Sequence, residues 1–434
     1  MSERDPLDAN QAARGSGASA GGPPTAAIVI SVVALAILAV VAFVFLRPDD
    51  SDPPVGAASA TPSASATPTA SPSATAEPSP TAEATAAREW ELARIVKRSD
   101  DPSTAAVFFG VQWHEGPGWI AHGLQENTED GRPGVWTSGD GRSWALADLP
   151  SGLEGSPVVD IARGEVDGSS RFVALLAGFT GQSRIVTSDD GSSWELATTP
   201  ETGTLLHAVA HGPAGFVATG TVGDAGEPAS GRIWQSSDGT AWEESAPPAL
   251  ERAQAYDIAI LGERYVAAGF PNGPGPPLVA WGSTDATDWS EHEVSPPSDT
   301  GCLCVAADAT AGRMVVLGLS RDAYAALSED GESWTAEVLE ADSAVTLSGA
   351  DVVDDGAIVA TGSLNIADGP RDALIWVRDA DATEWRAVDW RAELPEVRDE
   401  EIGLGGSVHV AVGPERTLIL ISDGAVFLTS DRLP

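Results

Sequence analysis

The residues of this chain that could do chemistry recur in one short pattern. Ser138, Asp140, Gly141 and Trp144 stand in Ser138-Gly-Asp-Gly-Arg-Ser-Trp144. The same spacing returns with Ser188, Asp190, Gly191 and Trp194, with Ser236, Asp238, Gly239 and Trp242, and with Ser328, Asp330, Gly331 and Trp334. A further copy, Ser283, Asp285 and Trp289, has Ala286 at the Gly position, and a degenerate one keeps only Asp381 and Trp385. One hydroxyl beside one carboxylate could serve as a nucleophile or an acid. A pattern repeated at Trp spacings of 50, 48, 47, 45 and 51 residues argues for architecture instead. Asp and Ser take up the amides of a tight turn, Gly relieves the φ restriction, and Trp buries a large plate between neighbouring units.

Other candidates are fewer. Arg132, Arg184, Arg232, Arg321 and Arg371 hold corresponding places ahead of the boxes. A ring of guanidinium groups would suit carboxylate, phosphate or sulfate groups on a partner. The alternative is local pairing with Glu129, Asp130, Glu227, Asp322, Asp368 or Asp372. His207 and His211, four apart, would share one face of a strand, as would Cys302 and Cys304. Metal binding by the histidines stands against ordinary packing or solvation, with His211 reaching the turn below; the cysteines allow a reduced pair, a strained local disulfide or a metal clamp, the last without neighbouring His or Cys. Asp379 and Asp381 show no complete oxygen cage for calcium. The expected cofactor and metal content is therefore none.

These residues need a scaffold, and the repeat supplies it. Before each box lies an apolar, β-rich run, such as Phe172-Val-Ala-Leu-Leu-Ala-Gly178 or Ile358-Val-Ala-Thr-Gly362. Another run precedes it, and a short one follows the box. Four short strands per period of about 45–50 residues, without amphipathic helical stretches, predict an all-β, seven-bladed propeller of four-stranded blades over 88–434. Trp90-Glu-Leu-Ala resembles Trp194-Glu-Leu-Ala and has no blade of its own. It is expected to join the last blade, beside Ala425-Val-Phe-Leu-Thr-Ser430, and so remove two open sheet edges. With the boxes on one face, the long connections 124–134, 221–231, 270–277, 363–372, 146–156, 291–301 and 387–405 gather on the other. Loops held by a rigid scaffold are where binding usually resides.

The boxes resemble the Asp-box, or BNR repeat, of sialidase-like propellers, in a form one residue shorter than the usual S-x-D-x-G-x-T-W. The resemblance covers 88–434 and implies the fold, with box Asp residues that are structural and lie away from the ligand face. It also raises a sialidase-like glycoside hydrolase as the alternative to a binding or scaffolding module. Such an enzyme would need an arginine triad, a Tyr nucleophile with a Glu partner, and an Asp acid/base. Only Tyr256, Tyr265 and Tyr324 are present, Tyr265 inside a repeated strand, and the constellation does not assemble. The chain is also similar to photosystem II assembly factor-like propellers, which implies a protein partner, although its acidity departs from their pattern.

Residues 1–25 are polar and are expected to be a disordered cytoplasmic N-terminus. Residues 26–46 carry no charge and predict a transmembrane helix, a signal-anchor closed by Arg47-Pro-Asp-Asp50 without a cleavage pattern. Residues 47–87, rich in Ser, Thr, Pro and Ala, predict a disordered stalk. The expectation is a single-pass protein of the cell membrane with its propeller outside, at a bacterial cell surface. Its expected partners are a protein or a glycan of the cell envelope, and the ectodomain is expected to be monomeric. With 24 Lys and Arg against 64 Asp and Glu, a net charge of −40, the composition argues against nucleic-acid binding. Two cysteines exclude a disulfide-built scaffold.

Overall fold

The computed structural model describes residues 90–94 and 106–429, apart from 127–129, 178–182, 198–199, 201–202, 224–229, 272–277, 296–302, 311, 320–321, 342–344, 354, 365–371, 389–407, 415–416 and 423–424. Alternating apolar and small residues between turn signals give short strands, and these pair in sequence order into antiparallel sheets. The first sheet joins β2 (Val107–His114), β3 (Gly118–Leu124), β4 (Pro133–Ser138) and β5 (Ala145–Leu146). The second joins β6 (Val158–Val166), β7 (Ser169–Leu176), β8 (Arg184–Ser188) and β9 (Glu195–Leu196). The third joins β10 (Thr204–Gly212), β11 (Gly215–Val222), β12 (Ser230–Ser236) and β13 (Glu243–Ser245). The fourth joins β14 (Ala253–Leu261), β15 (Arg264–Pro271), β16 (Leu278–Ser283) and β17 (Ser290–Val294). The fifth joins β18 (Leu303–Thr310), β19 (Arg313–Leu319), β20 (Ala323–Ser328) and β21 (Thr335–Val338). The sixth joins β22 (Val345–Val352), β23 (Ile358–Leu364), β24 (Asp372–Arg378) and β25 (Arg386–Val388).

The last sheet is composite. It has the order β1-β28-β27-β26, from β1 (Trp90–Arg94), β26 (His409–Val412), β27 (Leu418–Ser422) and β28 (Ala425–Thr429). β1 pairs antiparallel with β28, Leu92 opposite Phe427. The expected tally of seven blades is corrected accordingly. Six blades are four consecutive strands each, and a composite sheet of strands from both chain ends completes the ring. The six differ from it physically too. Each has a β-bulge near the start of its innermost strand, as between Leu206 and Ala208 or Ala255 and Asp257, whereas the β26–β27 pairing runs without a shift. The innermost strands contact one another in the order β2, β6, β10, β14, β18, β22, β26 and back to β2.

The expectations for the first 89 residues, including a membrane helix at 26–46 and the stalk, lie outside the described residues. A cell-membrane location with a transmembrane α-helix is corrected on what the structure does show. No helix among the described residues is long and apolar enough to cross a membrane. The apolar residues described sit instead on short strands, between sheets. The helical element there is a three-residue 3-10 turn, Pro248–Leu250.

The core is a set of inter-sheet layers. Ile120 and Val135 of the first sheet pack on Ile161, Phe172 and Val186 of the second, and similar clusters fill successive interfaces. Ala411, Ile419 and Ile421 of the composite sheet meet Trp119 and Trp136 of the first, which seals the circle. The box tryptophans join these layers, Trp194 buried and the others half-buried. The other buried tryptophans among the described residues are a second set: Trp136, Trp234 and Trp281, each two residues before a box Ser, with Trp119 and Trp376.

The box chemistry is plain in the turns. Ser188 Oγ donates to Asp190 Oδ1 (3.1 Å), which also accepts the amides of Ser192 and Ser193 at 2.8 and 2.9 Å. Gly191 N donates to Ser188 Oγ, and Trp194 Nε1 to Gly191 O. Backbone amides pull the Asp190 and Asp330 carboxyls down to about 2, and at Asp238, also lowered to about 2, the Thr240 hydroxyl is the largest cause, followed by the Thr240 amide. The Gly of the box has positive φ, 72° at Gly141 and 75° at Gly191. Ala286 adopts φ 59° in its place, a strained choice for a residue with a Cβ. In the degenerate sixth copy Asp379 takes the Ser place of the pattern, and Arg378 precedes it, paired with Ile358 as Ser188 is with Phe172. Arg378 Nε and Nη2 bond both oxygens of Glu337 on the fifth sheet, and Trp385 Nε1 donates to the same carboxylate (2.8 Å). A half-buried ion pair between blades has replaced the turn bonds.

Candidate functional site

The box turns and the β-hairpins linking innermost to second strands share one face: a Cβ on Gly118, which opens β3, would touch Ser138 O at the end of β4. The opposite face carries the entrances to the innermost and third strands. Arg132, Arg184 and Arg232 lie there, at or just before β4, β8 and β12, while Arg321 and Arg371 lie outside the described residues.

Each described arginine is engaged within its own blade. Arg132 Nη2 donates to Glu126 Oε1 at 2.6 Å, and its main-chain N to Glu126 Oε2 at 3.2 Å. Arg132 holds the Glu126 carboxyl below its usual range, chiefly through the side-chain hydrogen bond. Arg232 Nε reaches Glu244 Oε1 (3.2 Å), and its Nη1 bonds Ser230 Oγ and Gly231 O. Arg184 Nη1 donates to Ser183 O at 3.0 Å. Arg132 and Arg232 pair locally with Glu126 and Glu244, while Glu129 and Glu227 lie outside the described residues.

His207 and His211 part company. The bulge at His207 breaks the strand's alternation, so their spacing of four no longer fixes a common face. His207 sits at the loop face with its ring 4.9 Å from Tyr256, and burial lowers its pKa to about 4. His211 lies at the hairpin face over Phe216, ring centroids 4.6 Å apart. Cys302 lies outside the described residues, and Cys304 pairs with Gly318 in the β18–β19 ladder. Among the described residues, no group of three or more His, Cys, Asp or Glu could hold a metal ion.

The three tyrosines have different surroundings. Tyr265 is fully buried; its hydroxyl donates to Gly215 O (2.8 Å) and accepts from Ala214 N (2.9 Å), tying the fourth sheet to the hairpin of the third. Tyr324 is buried against Gly318. Tyr256 is half-buried between His207 and Phe270 (5.2 Å), and its hydroxyl donates to Gln254 Oε1. His207, Tyr256 and Phe270 thus form an aromatic shelf where the third and fourth sheets open onto the loop face. The sequence reading missed it, because two of its members stand at or beside bulges that alternation does not reveal.

A second missed set is acidic. Asp160, Asp308 and Asp351 stand on innermost strands, inside otherwise apolar runs. Asp160 Oδ2 accepts Val209 N of the next blade (2.7 Å), Asp308 Oδ2 accepts Val352 N (2.6 Å), and Asp351 Oδ2 accepts Val412 N (2.5 Å). Burial pushes the Asp160 carboxyl up to about 7 and raises that of Asp308, which also bonds Asp351. Each carboxyl clamps one inner strand to the next. Asp308 and Asp351 hold corresponding places in the strand register and Asp160 one two residues earlier, so the signal that could have found them was a carboxylate breaking an apolar inner-strand run.

No protein-family model matches the chain, and no curated protein matches it by sequence. Solved structures do match by shape. A structure described as YCF48 bound to D1 peptide superposes with a TM-score of 0.52 at 13% identity, covering 81% of this chain and 98% of that one. A streptogramin B lyase gives 0.53 at 9% identity, covering 79% and 97%. A Hadza microbial sialidase, Hz136, gives 0.47 at 15% identity, covering 79% and 68%. At these identities the likeness is one of fold, that of a β-propeller.

Proposed function

We propose that this propeller is a non-catalytic binding module that takes an extended segment of a protein partner on its loop face. The observation that carries the reading is the shelf of His207, Tyr256 and Phe270, half-buried aromatic and imidazole rings held at the mouths of adjacent rigid sheets. Such rings offer large contact area at small conformational cost. Arg132, Arg184 and Arg232 stand around the same face, and exchanging an intramolecular carboxylate for one on a partner costs them little where they are exposed. The fold neighbour described with a bound peptide supports a polypeptide as ligand class. The Tyr265 hydroxyl, spent on Gly215 O and Ala214 N, is in no position to act as a nucleophile, which weighs against hydrolysis.

The test is a binding screen of the full chain against a peptide library and an array of cell-envelope glycans, repeated with Tyr256→Ala and with Arg132→Ala/Arg232→Ala. Peptide binding weakened about tenfold or more by Tyr256→Ala is the expected result. Glycan binding alone, or peptide binding indifferent to both variants, would overturn the reading.

A further inference from the structure

At the hairpin face, away from the shelf, the ends of three consecutive innermost strands border an open, solvent-facing cavity of about 410 Å³. Its lining is His114 from β2, Arg163, Gly164 and Glu165 from β6, and His211 from β10. The volume lies within the range of small-molecule sites. Its charges are unspent. Arg163 Nη2 donates to Ser170 Oγ (2.6 Å) and its guanidinium carbon lies 5.9 Å from the Phe172 ring, but its buried Nε has no hydrogen-bond partner among the described residues. Glu165, two residues on and on the same side of the strand, is exposed. Among the described residues, neither makes an ion pair.

The cavity is polarised along β6. His114 lies in the field of Arg163, and burial with that field lowers its pKa to about 4. His211 lies in the field of Glu165, which partly offsets the lowering that burial imposes. Both imidazoles are therefore neutral near pH 7, each able to donate at one ring nitrogen and accept at the other. One end is a cation with an uncharged imidazole, the other an anion with an uncharged imidazole. Gly164 makes the arrangement sterically possible: a Cβ there would lie 2.2 Å from His211 Cδ2.

We propose that this cavity is a second binding site, for a small zwitterion of the amino-acid or dipeptide type, with its carboxylate on Arg163 and its ammonium on Glu165. A simple anion would meet Glu165 and a simple cation would meet Arg163, each leaving one charge of the pair opposed. A zwitterion answers both, and a carboxylate can take two parallel hydrogen bonds from a guanidinium.

The test is calorimetric titration of the full chain with glycine and diglycine, and with acetate and methylammonium as single-charge controls. At least one zwitterion is expected to bind saturably, and to weaken about tenfold or more in both Arg163→Gln and Glu165→Gln. Glu165 is exposed, so its variant reports on binding without endangering the fold; Gly164→Ala, which displaces His211, should also weaken binding. No saturable heat with either zwitterion up to about 20 mM, a limit set by the weakest affinities worth assigning to a site, would overturn the proposal. So would acetate binding as tightly as glycine, or binding unaffected by Glu165→Gln.

Discussion

Replacing Tyr265 by Phe removes one oxygen from a fully enclosed site. The ring stays, because Phe has the same shape, so the change isolates the hydroxyl. That hydroxyl joins two blades: it donates to Gly215 O at 2.8 Å and accepts from Ala214 N at 2.9 Å. The ring lies against Gly212, where even a Cβ would come within 2.8 Å of Tyr265 Cζ. Two hydrogen bonds at roughly 1 kcal/mol each, with buried groups left unsatisfied, put the loss at about 2 kcal/mol. With a urea slope of about 3 kcal/mol/M, the midpoint should fall by about 0.7 M. Urea titration followed by tryptophan fluorescence measures this directly. A midpoint within about 0.2 M of the parent, well inside the expected shift, would show that the hydroxyl does not tie the sheets. A changed slope would show that the variant has altered the unfolded state instead.

Acid should weaken the fold in two stages. His122 and His409 are held neutral, with pKa values lowered to about 4 and about 3, first by burial. The unfolded chain binds protons that the folded one refuses, so stability falls as pH drops below about 6.5, by roughly 2 kcal/mol per histidine at pH 5; denaturant midpoints at pH 7 and 5 test this, and His409→Gln should flatten the slope. The box carboxyls have the opposite displacement, folded values near 2 below the unfolded carboxylate value, so their stabilisation is complete above about pH 4 and lost on the way to pH 2. Asp190→Asn should move acid unfolding, read by fluorescence, to higher pH than in the parent. Leu92→Pro, at the middle of β1 opposite Phe427, disrupts the β1–β28 pairing and should raise hydrogen exchange in β28 while leaving β10–β13 protected. Equal exchange throughout would mean the ring does not close through β1.

Much of the scaffold was legible because the repeat announces it. Ser188, Asp190, Gly191 and Trp194 supply hydrogen bonds and a backbone angle to a single turn, and local chemistry of that kind survives in sequence order. The partner of Trp90 was readable for the same reason, since its strand lacked a blade. The sites were less legible, because they depend on residues far apart in the chain. Arg232 chooses Glu244 across a strand pair, and Tyr256 meets Phe270 and His207 only once two sheets stand side by side. The cavity at Arg163 draws on three blades, and no spacing rule connects His114 with His211.

The composite sheet also decides how the molecule meets tension. Residues 1–89 enter the propeller through β1, the outermost ribbon of that sheet, zipped to β28 by five residue pairs from Trp90–Thr429 to Arg94–Ala425. A tug delivered from that direction is spent first on those few rungs, at the rim, before any inner strand feels it. The ring therefore carries its own fuse, placed where the chain comes in and farthest from the axis.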